Sequence, residues 1–311
     1  MRSTSPHSLR LFRLNRLPSA LLTALLIWLL QPMSLQAAPP AVAVLLSREI
    51  APYIAMVEGL ESTLGDFEVQ RFFLDAQGRP YSLAGASPRL DPRQFAARIA
   101  VGPEALRYLD AQPSHSPVLF GMVLHPAALL KQPQTPLNGV DLHLPVEHQF
   151  AALRQRLPHL RRLGVLFDPA NNQSWFEQAR PIAAALGFEL LPLQVTRQSG
   201  VLDIPSGQTR PDAILFIPDR TIISRAVIQH VIKQAALQRV PVVGYNRFFL
   251  DSGAALAFLI DYPEVGRQVA RRLRQTLLEQ QPPVVEAPVF TLAVNLPVWR
   301  SIGLPEMEAQ P

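Results

Sequence analysis

The chain has 311 residues, of which 29 are basic and 24 acidic, and it contains no cysteine. Disulfides are therefore excluded, and the chain is long enough to bury the cores of two lobes. Four basic and no acidic residues lie in the first 37 positions, which leaves 25 bases against 24 acids beyond them, a net charge of +1. Since no basic run remains in that part, nucleic acid is excluded as a partner.

The first 37 residues have the three parts of a secretory signal peptide. Four arginines between positions 2 and 16 come first, an apolar run follows at 20–30, and a small-residue patch ends at Ala38. The apolar run is shorter than the roughly 20 residues of a membrane span, and no cysteine follows that could carry a lipid anchor. The pattern predicts cleavage near Ala37 and export to the periplasm as a freely diffusing protein.

Beyond this segment, short apolar runs alternate with amphipathic stretches, which is typical of repeated βα units. Several runs are apolar at every position, as expected for parallel strands buried on both faces. The predicted strands are 41–46, 67–74, 98–101, 117–124, 163–167, 188–195, 213–217 and 240–244, and the predicted helices are 50–64, 104–110, 147–157, 174–186, 224–238 and 264–279. The predicted fold class is α/β, with parallel sheets that carry helices on both faces.

A segment rich in proline and glycine, 130–145, separates two sets of βα units of similar size and is predicted to be a linker. It contains a short predicted strand at 139–144. The apolar run 254–260 leads into the long helix that follows it, where a return crossing is predicted. The chain then ends with a run at 289–294 and a short helix-like tail. These features predict two similar lobes rather than one long sheet.

Ligands of open parallel sheets bind beyond the carboxyl ends of the strands. The residues that follow the predicted strands are mostly polar or turn-forming, and exposed helix N-termini at this edge would favour an anionic group. Met122 and Tyr245 are expected to add apolar walls, although Tyr245 also fits an ordinary core position. Helix capping or a simple turn explains other members of this set equally well, namely Asn171, Asn172, Ser174 and Asp219.

Signatures of enzymes are missing from the sequence: no nucleophile elbow, phosphate-binding loop or dinucleotide fingerprint occurs. Asp141, His143, Glu147 and His148 are the best candidates for a metal site. They lack the i, i+4 histidine pair of a helical zinc site, so a solvated hinge is the preferred interpretation. The sequence therefore predicts no catalytic residue, no metal and no other cofactor.

Six segments, in order along the chain, form a recognisable set. They are 100–106 (AVGPEAL), 117–126 (PVLFGMVLHP), 163–174 (LGVLFDPANNQS), 212–219 (DAILFIPD), 240–253 (VPVVGYNRFFLDSG) and 293–305 (AVNLPVWRSIGLP). Together they resemble the tryptophan/tyrosine-type substrate-binding proteins of ABC transporters. The resemblance implies the type I periplasmic binding protein fold, in which a three-crossing hinge joins the lobes. It places the first lobe at 41–143 and 255–285 and the second at 144–254 and 286–311.

The resemblance also implies which residues bind the ligand in the cleft between the lobes. They are Ser47, Gly102, Met122, Asn171, Asn172, Ser174, Asp219, Tyr245 and Asn246. Three features depart from the family pattern. Asp168 precedes Pro169 where asparagine is common, Pro103 replaces a frequent threonine, and the stretch 78–93 is shorter and more irregular than the helix usually found there. The threonine hydroxyl would bind an amino-acid ligand, so the identity of the ligand does not carry over.

A function follows from the resemblance as an expectation. It implies a monomeric solute-binding component of an ABC transporter, which closes around an amino-acid-like or other small organic solute and delivers it to a permease. The alternative is a sensory module that presents the same closed form to a membrane-bound sensor protein. A permease and an ATPase encoded nearby would favour transport, and a sensor kinase or cyclase would favour signalling. A periplasmic enzyme is disfavoured by the missing motifs.

Overall fold

The computed structural model describes residues 38–83, 90–91, 93–112, 116–130, 132–134, 136–195, 204–222 and 224–305. The predicted signal peptide, 1–37, and the chain end, 306–311, lie outside the described residues. Within these ranges, no helix is both long and apolar enough to cross a membrane.

The first sheet is built around β1 (Ala41–Leu46) and has seven strands. The others are β2 (Glu68–Leu74), β3 (Pro80–Tyr81), β4 (Ala97–Val101), β5 (Val118–Val123), β6 (Gly139–Asp141) and β12 (Val285–Glu286), in the order β12-β6-β5-β4-β1-β2-β3. Helices α1 (Ala51–Glu61) and α8 (Tyr262–Leu277) pack on one face. The other face is covered by α2 (Pro103–Asp110) and α3 (Pro126–Leu129). All five residues of β4 are buried, because both faces of the sheet are covered.

The second sheet has six strands in the order β13-β11-β10-β9-β7-β8. They are β7 (Arg162–Phe167), β8 (Glu189–Gln194), β9 (Ala213–Phe216), β10 (Val242–Gly244), β11 (Leu256–Ile260) and β13 (Phe290–Val294). One face carries α4 (Val146–Arg156), α5 (Pro169–Ala185) and α9 (Leu296–Ser301). The other face carries α6 (Arg225–Leu237) and α7 (Arg247–Asp251), and a single 3-10 turn (Gly207–Thr209) precedes β9.

The predicted fold class is confirmed: the chain forms two mostly parallel sheets, and each has helices on both faces. The sheets are not purely parallel, because β3 and β13 pair antiparallel with their neighbours at the sheet edges. The chain passes between the sheets at residues 142–145, at Asp261 and at 287–289. These are the three crossings that the resemblance implies.

One expected lobe boundary is wrong, because residues 255–260 do not belong to the first lobe. Strand β11 pairs with β10 and, over five residue pairs, with β13 in the second sheet. The chain reaches the first sheet only with α8, whose Val265 and Val269 pack in the core beside α1. A short apolar strand suits either sheet equally well, so its partners cannot be read from its own residues.

Candidate functional site

The three crossings bring the carboxyl edges of the two sheets close together. Four residues separate β6 from α4, and a single residue separates β11 from α8. The third crossing joins the end of β12 to Phe290, which pairs with Ile260 at the carboxyl end of β11. Because each residue spans at most about 3.6 Å, these short segments keep the two edges adjacent. The candidate binding residues follow strands of both sheets at these edges.

In the first lobe, Ser47 links the end of β1 to the start of α2. Its buried Oγ accepts a hydrogen bond of 2.8 Å from the backbone N–H of Ala105. Gly102, the residue before α2, has a φ of +94°, and a Cβ there would lie 2.7 Å from both Ser47 Oγ and the Tyr53 hydroxyl oxygen. Since Ser47 Oγ is the acceptor in its bond to Ala105, its own hydrogen remains for donation to a ligand.

Tyr53 was missed by the sequence analysis, although it lies at the same strand end. Burial raises the pKa of its hydroxyl, the charge of Glu104 raises this pKa further, and Arg48 lowers it. The hydroxyl is therefore neutral and can donate a hydrogen bond. Arg48 forms an exposed ion pair of 3.4 Å with Glu104 at this rim. One feature of the sequence points to Tyr53, because it lies in the first turn of α1, directly after the loop that contains Ser47.

The side chain of Met122 is buried and does not line an open surface, whereas its backbone has an unusual conformation. Its side chain is 4% exposed and belongs to the core cluster beneath α1 and α8. Its φ is +59°, in the left-handed region, and the pairing of β5 with β6 shifts register between Phe120 and Val123. Such a conformation costs about 1 kcal/mol in a residue other than glycine. The apolar wall expected from Met122 is thus absent from the first-lobe edge.

In the second lobe, Asp219 is the centre of a hydrogen-bond network. Its Oδ1 accepts from Asn171 Nδ2 (3.0 Å) and from the backbone N–H of Thr221 (2.8 Å). Its Oδ2 accepts from the backbone N–H of Asp168 (2.8 Å) and from Asn172 Nδ2 (2.7 Å). A carboxylate has about four acceptor positions. Asp219 is therefore saturated by the protein, and it holds the loop after β9 against the start of α5.

The Asp219 carboxylate is kept charged by this network. Burial alone would raise its pKa, but the hydrogen bonds from the Asp168 backbone, Asn172, the Thr221 backbone and Asn171 outweigh burial and lower the pKa below the ordinary 3.8. Its negative charge lies near Tyr245, whose hydroxyl pKa is raised by burial and by that charge. The Tyr245 ring packs on Phe249 with centroids 4.7 Å apart.

Helix α5 begins at Pro169, five residues before the predicted start at 174. Asp168 is its N-cap, and its Oδ1 accepts the backbone N–H of Ala170 at 2.9 Å. An aspartate cap followed by proline is a strong helix start, although the turn-forming residues in this stretch predict a loop. Asp168 therefore caps this helix, and Asn171, Asn172 and Ser174 do not.

The two asparagines of α5 use their amide nitrogens inside the protein. Asn171 Nδ2 also donates to Thr221 Oγ1 (3.2 Å), and Asn172 Nδ2 to the carbonyl of Pro218 (3.3 Å). Asn172 leaves helical geometry, with φ −131° and ψ 16°. Because a carboxylate only accepts hydrogen bonds, the contacts with Asp219 fix which amide atom is nitrogen. The amide oxygens are left as acceptors that could face a ligand.

The last two candidates differ in their surroundings. Asn246 precedes α7 without capping it, and its Oδ1 is buried with no hydrogen bond among the described residues. Ser174 is exposed, and its Oγ accepts from Gln178 Nε2 at 3.1 Å, one turn along α5. The structure thus brings Asn171, Asn172 and Asp219 into one network, whereas Ser174 lies on the exposed side of its own helix.

The residues considered for a metal site serve the turn after β5 and β6. Asp141 Oδ1 accepts the backbone N–H groups of His125 (3.0 Å) and His143 (2.9 Å). The two imidazole rings are in contact, with centroids 4.6 Å apart and planes tilted by 39°. Among the described parts of the chain, no group of three or more acidic, histidine or cysteine side chains is arranged to hold a metal ion.

Comparison with known proteins finds one matching family. The sequence model of the family described as ABC transporter substrate binding protein matches residues 41–306. No curated protein sequence matches the chain.

Solved structures share the fold at low sequence identity. A conserved domain protein from Vibrio cholerae is 22% identical, with a TM-score of 0.54 and coverage of 87% of this chain and 97% of that one. The ligand-free, open form of a substrate-binding protein with adhesive properties from Clostridium difficile is 16% identical, with a TM-score of 0.69 and coverage of 87% and 97%. A Streptococcus pneumoniae ABC domain in complex with L-Trp is also 16% identical, with a TM-score of 0.53 and coverage of 86% and 96%.

Proposed function

Because the chain belongs to the ABC transporter substrate-binding protein family, we propose that it is an exported receptor that binds one small solute between its lobes and delivers it to a membrane permease. The predicted signal peptide supports the export step. Binding and release, without covalent chemistry, make up the whole proposed activity. The same segment-by-segment resemblance supports a solute of amino-acid size.

The polar groups at the two carboxyl edges carry this proposal. The first-lobe edge offers donors, namely the hydroxyls of Ser47 and Tyr53 beside Gly102 and the guanidinium of Arg48. The second-lobe edge offers the amide oxygens of Asn171 and Asn172, because their nitrogens are held by Asp219. Donors on one side and acceptors on the other complement a zwitterion, with its carboxylate toward the first lobe and its ammonium toward the second.

Closure is the proposed consequence of binding. The crossings at 142–145, 261 and 287–289 are short and lie beside the candidate site. A solute that contacts both edges binds the closed arrangement better than the open one, and this difference in affinity shifts the population toward closure. The permease would then recognise the closed form.

A thermal-shift and calorimetric screen tests the function. We expect one or more free amino acids to raise the melting temperature, since a ligand at 100 times its Kd stabilises the folded state by about 2.7 kcal/mol. The N-acetyl derivative and the methyl ester of the best ligand are the matched probes, because each removes one charge of the zwitterion. Both should bind more weakly than the free amino acid. The proposal fails if no amino acid or related small organic acid shifts the transition.

Asn246→Ala is expected to weaken solute binding about tenfold without lowering the free energy of unfolding. The buried Oδ1 of Asn246 lacks a partner among the described residues, and such an orphan acceptor costs about 1–3 kcal/mol. Its removal relieves the ligand-free protein but deletes an acceptor for the solute. Calorimetric titration and urea unfolding measure the two effects separately.

Asn295→Ala is the matched control for this prediction. Asn295 caps α9 through a 3.4 Å bond to the Val298 N–H and also donates to the carbonyl of Leu250. We expect its loss to destabilise the protein by about 1 kcal/mol and to leave solute affinity unchanged. A variant of Asn246 that loses stability but keeps full affinity would show that this side chain serves the fold alone.

A further inference from the structure

A second concave site lies at the other end of the second sheet, where the strands begin. The cavity has a volume of about 550 Å³ and is formed by the segments that precede β7, β9 and β10 together with the residues after α9. It is therefore separated from the candidate solute site by the length of the strands. Its volume is within the range of pockets that hold small molecules, roughly 300–1,000 Å³.

The cavity carries an excess of positive charge. Arg156, Arg210 and Arg239 line it, and His159 adds an imidazole. Among the described residues of the lining, Asp212 is the one acidic side chain, and its Oδ2 already accepts the backbone N–H groups of Arg161 and Arg162, each at 2.8 Å. Three arginines therefore line the cavity against one acid among the described residues, and Arg210 also donates its Nη1 to the carbonyl of Gln238 at 3.0 Å.

One wall of the cavity is apolar and held in place. Trp299 is 4% exposed, and its indole Nε1 donates to the carbonyl of Pro305 at 2.8 Å. Pro241 and Leu304 extend this wall. A ligand would therefore place an anionic group against the arginines and a carbon framework against Leu304, which is partly exposed and rests on the buried indole.

Another cavity on the same lobe shows that such a charge excess is not general. A groove of about 840 Å³ is lined by Arg161, Arg180, Glu177 and Glu189, two cations and two anions. Arg180 and Glu177 form an ion pair of 3.4 Å there. Its charges cancel, so it has no preference for an anion.

The backbone at Arg239 provides an independent observation. Arg239 follows α6 with a φ of +56°, and the next residue, Val240, donates its N–H to the carbonyl of Ala235 at 2.9 Å. This is the position after a helix at which glycine is preferred, because other residues are strained there. The chain instead carries an arginine, and this residue lines the cavity.

We propose that this cavity is an anion site that binds a phosphate-bearing group, separate from the solute site. Guanidinium groups bind phosphate oxygens through paired, charge-assisted hydrogen bonds. The cavity is larger than a single phosphate, so the ligand includes a carbon framework that contacts the partly exposed Leu304. A free phosphorylated molecule and the headgroup of an anionic lipid share this chemistry.

The test uses the full purified protein at low ionic strength, where charge interactions are least screened. Inorganic phosphate and glycerol 3-phosphate are titrated calorimetrically, and vesicles of phosphatidylglycerol are compared with vesicles of phosphatidylcholine by co-sedimentation. Binding of a soluble phosphate compound identifies a free ligand. Binding to phosphatidylglycerol vesicles alone identifies a lipid headgroup. The proposal is overturned if neither the phosphate compounds nor the anionic vesicles bind.

Arg239→Gly separates anion binding from folding. Glycine suits the left-handed backbone, so the melting temperature without anion should stay the same or rise, while affinity for the phosphate probe or the anionic vesicles falls about tenfold. Arg180→Gln, in the balanced groove, is the control and should retain full affinity. Equal loss of affinity in both variants would mean that binding depends on net charge alone, and the proposed site would be wrong.

Discussion

Replacing Asp219 with alanine is expected to abolish solute binding and to lower the free energy of unfolding by about 3 kcal/mol. The change leaves the buried Asp168 N–H without its acceptor, and each hydrogen bond to a charged group contributes about 1.5–3 kcal/mol. It also releases the amide groups of Asn171 and Asn172, whose positions depend on the carboxylate. Asp219 thus acts as a positioning residue. Urea unfolding and calorimetric titration of the best solute measure the two losses.

Asp212→Ala is the control, since Asp212 directly precedes the same strand, β9. Its carboxylate accepts two backbone N–H groups, from Arg161 and Arg162. We expect a loss of stability of about 1–2 kcal/mol with unchanged solute affinity, because this carboxylate lies at the opposite end of the sheet. Retention of solute affinity in Asp219→Ala would contradict the positioning role.

The same network has a pH signature. The pKa of Asp219 is lower in the folded protein than its ordinary value of 3.8. The charged carboxylate therefore contributes stability that is fully present above about pH 4 and is lost as the pH falls through the folded-state pKa. The difference in unfolding free energy between the wild type and Asp219→Asn should shrink as the pH is lowered below about 4. A difference that stays constant over this range would mean that the charge does not stabilise the fold.

Gly102→Ala is expected to cost about 3 kcal/mol of stability and to weaken solute binding at the first lobe. The φ of +94° and ψ of 168° place Gly102 in a region that essentially only glycine adopts, which costs alanine about 1–3 kcal/mol. The new Cβ would also lie 2.7 Å from Ser47 Oγ and from the Tyr53 ring and hydroxyl, and such overpacking typically costs 1–3 kcal/mol. Relief of the contact must move the two hydroxyl groups that we assign to the solute. Urea unfolding and calorimetry report both effects.

Alanine substitutions at two other glycines distinguish the cost of the positive φ from the cost of the close contact with the new Cβ. Gly78 also has a positive φ, +74°, but a Cβ there would meet nothing within 4 Å. Gly65→Ala has neither a positive φ nor a contact. Gly78→Ala should therefore cost about 1 kcal/mol, and Gly65→Ala should have almost no effect. If Gly102→Ala costs no more than Gly78→Ala, the close packing of Tyr53 and Ser47 at this glycine is wrong.

The sequence was sufficient to locate most of the strands and helices. Strand β1 matches its predicted range of 41–46, and β7 and β9 differ from theirs by one residue. These elements are recognisable because hydrophobic periodicity is a local property of the chain. The start of α5 was also present in the sequence, as the pair Asp168 and Pro169, but turn-forming residues in the same stretch favoured a loop.

Residue type and position after a strand were enough to place candidate side chains at the carboxyl edges of both sheets. They could not indicate what each side chain does. Asn171 and Asp219 are 48 residues apart in the sequence. Only the folded chain shows their 3.0 Å hydrogen bond, which occupies the amide nitrogen of Asn171 and leaves its amide oxygen as an acceptor. Tyr53, which the sequence did not indicate, lies beside the candidate site because Gly102, 49 residues further along the chain, leaves space for it.

Export, fold class and the approximate place of the solute site are inferences that local composition and strand order support. The pairing of β11, the network around Asp219 and the arginine-lined cavity required the folded chain. Arg156 and Arg239 each appear as ordinary surface residues near helix ends in the sequence, yet they line one cavity in the fold. Pairing partners and hydrogen-bond acceptors are set by distances between segments far apart in the chain, and no local pattern of residues encodes those distances.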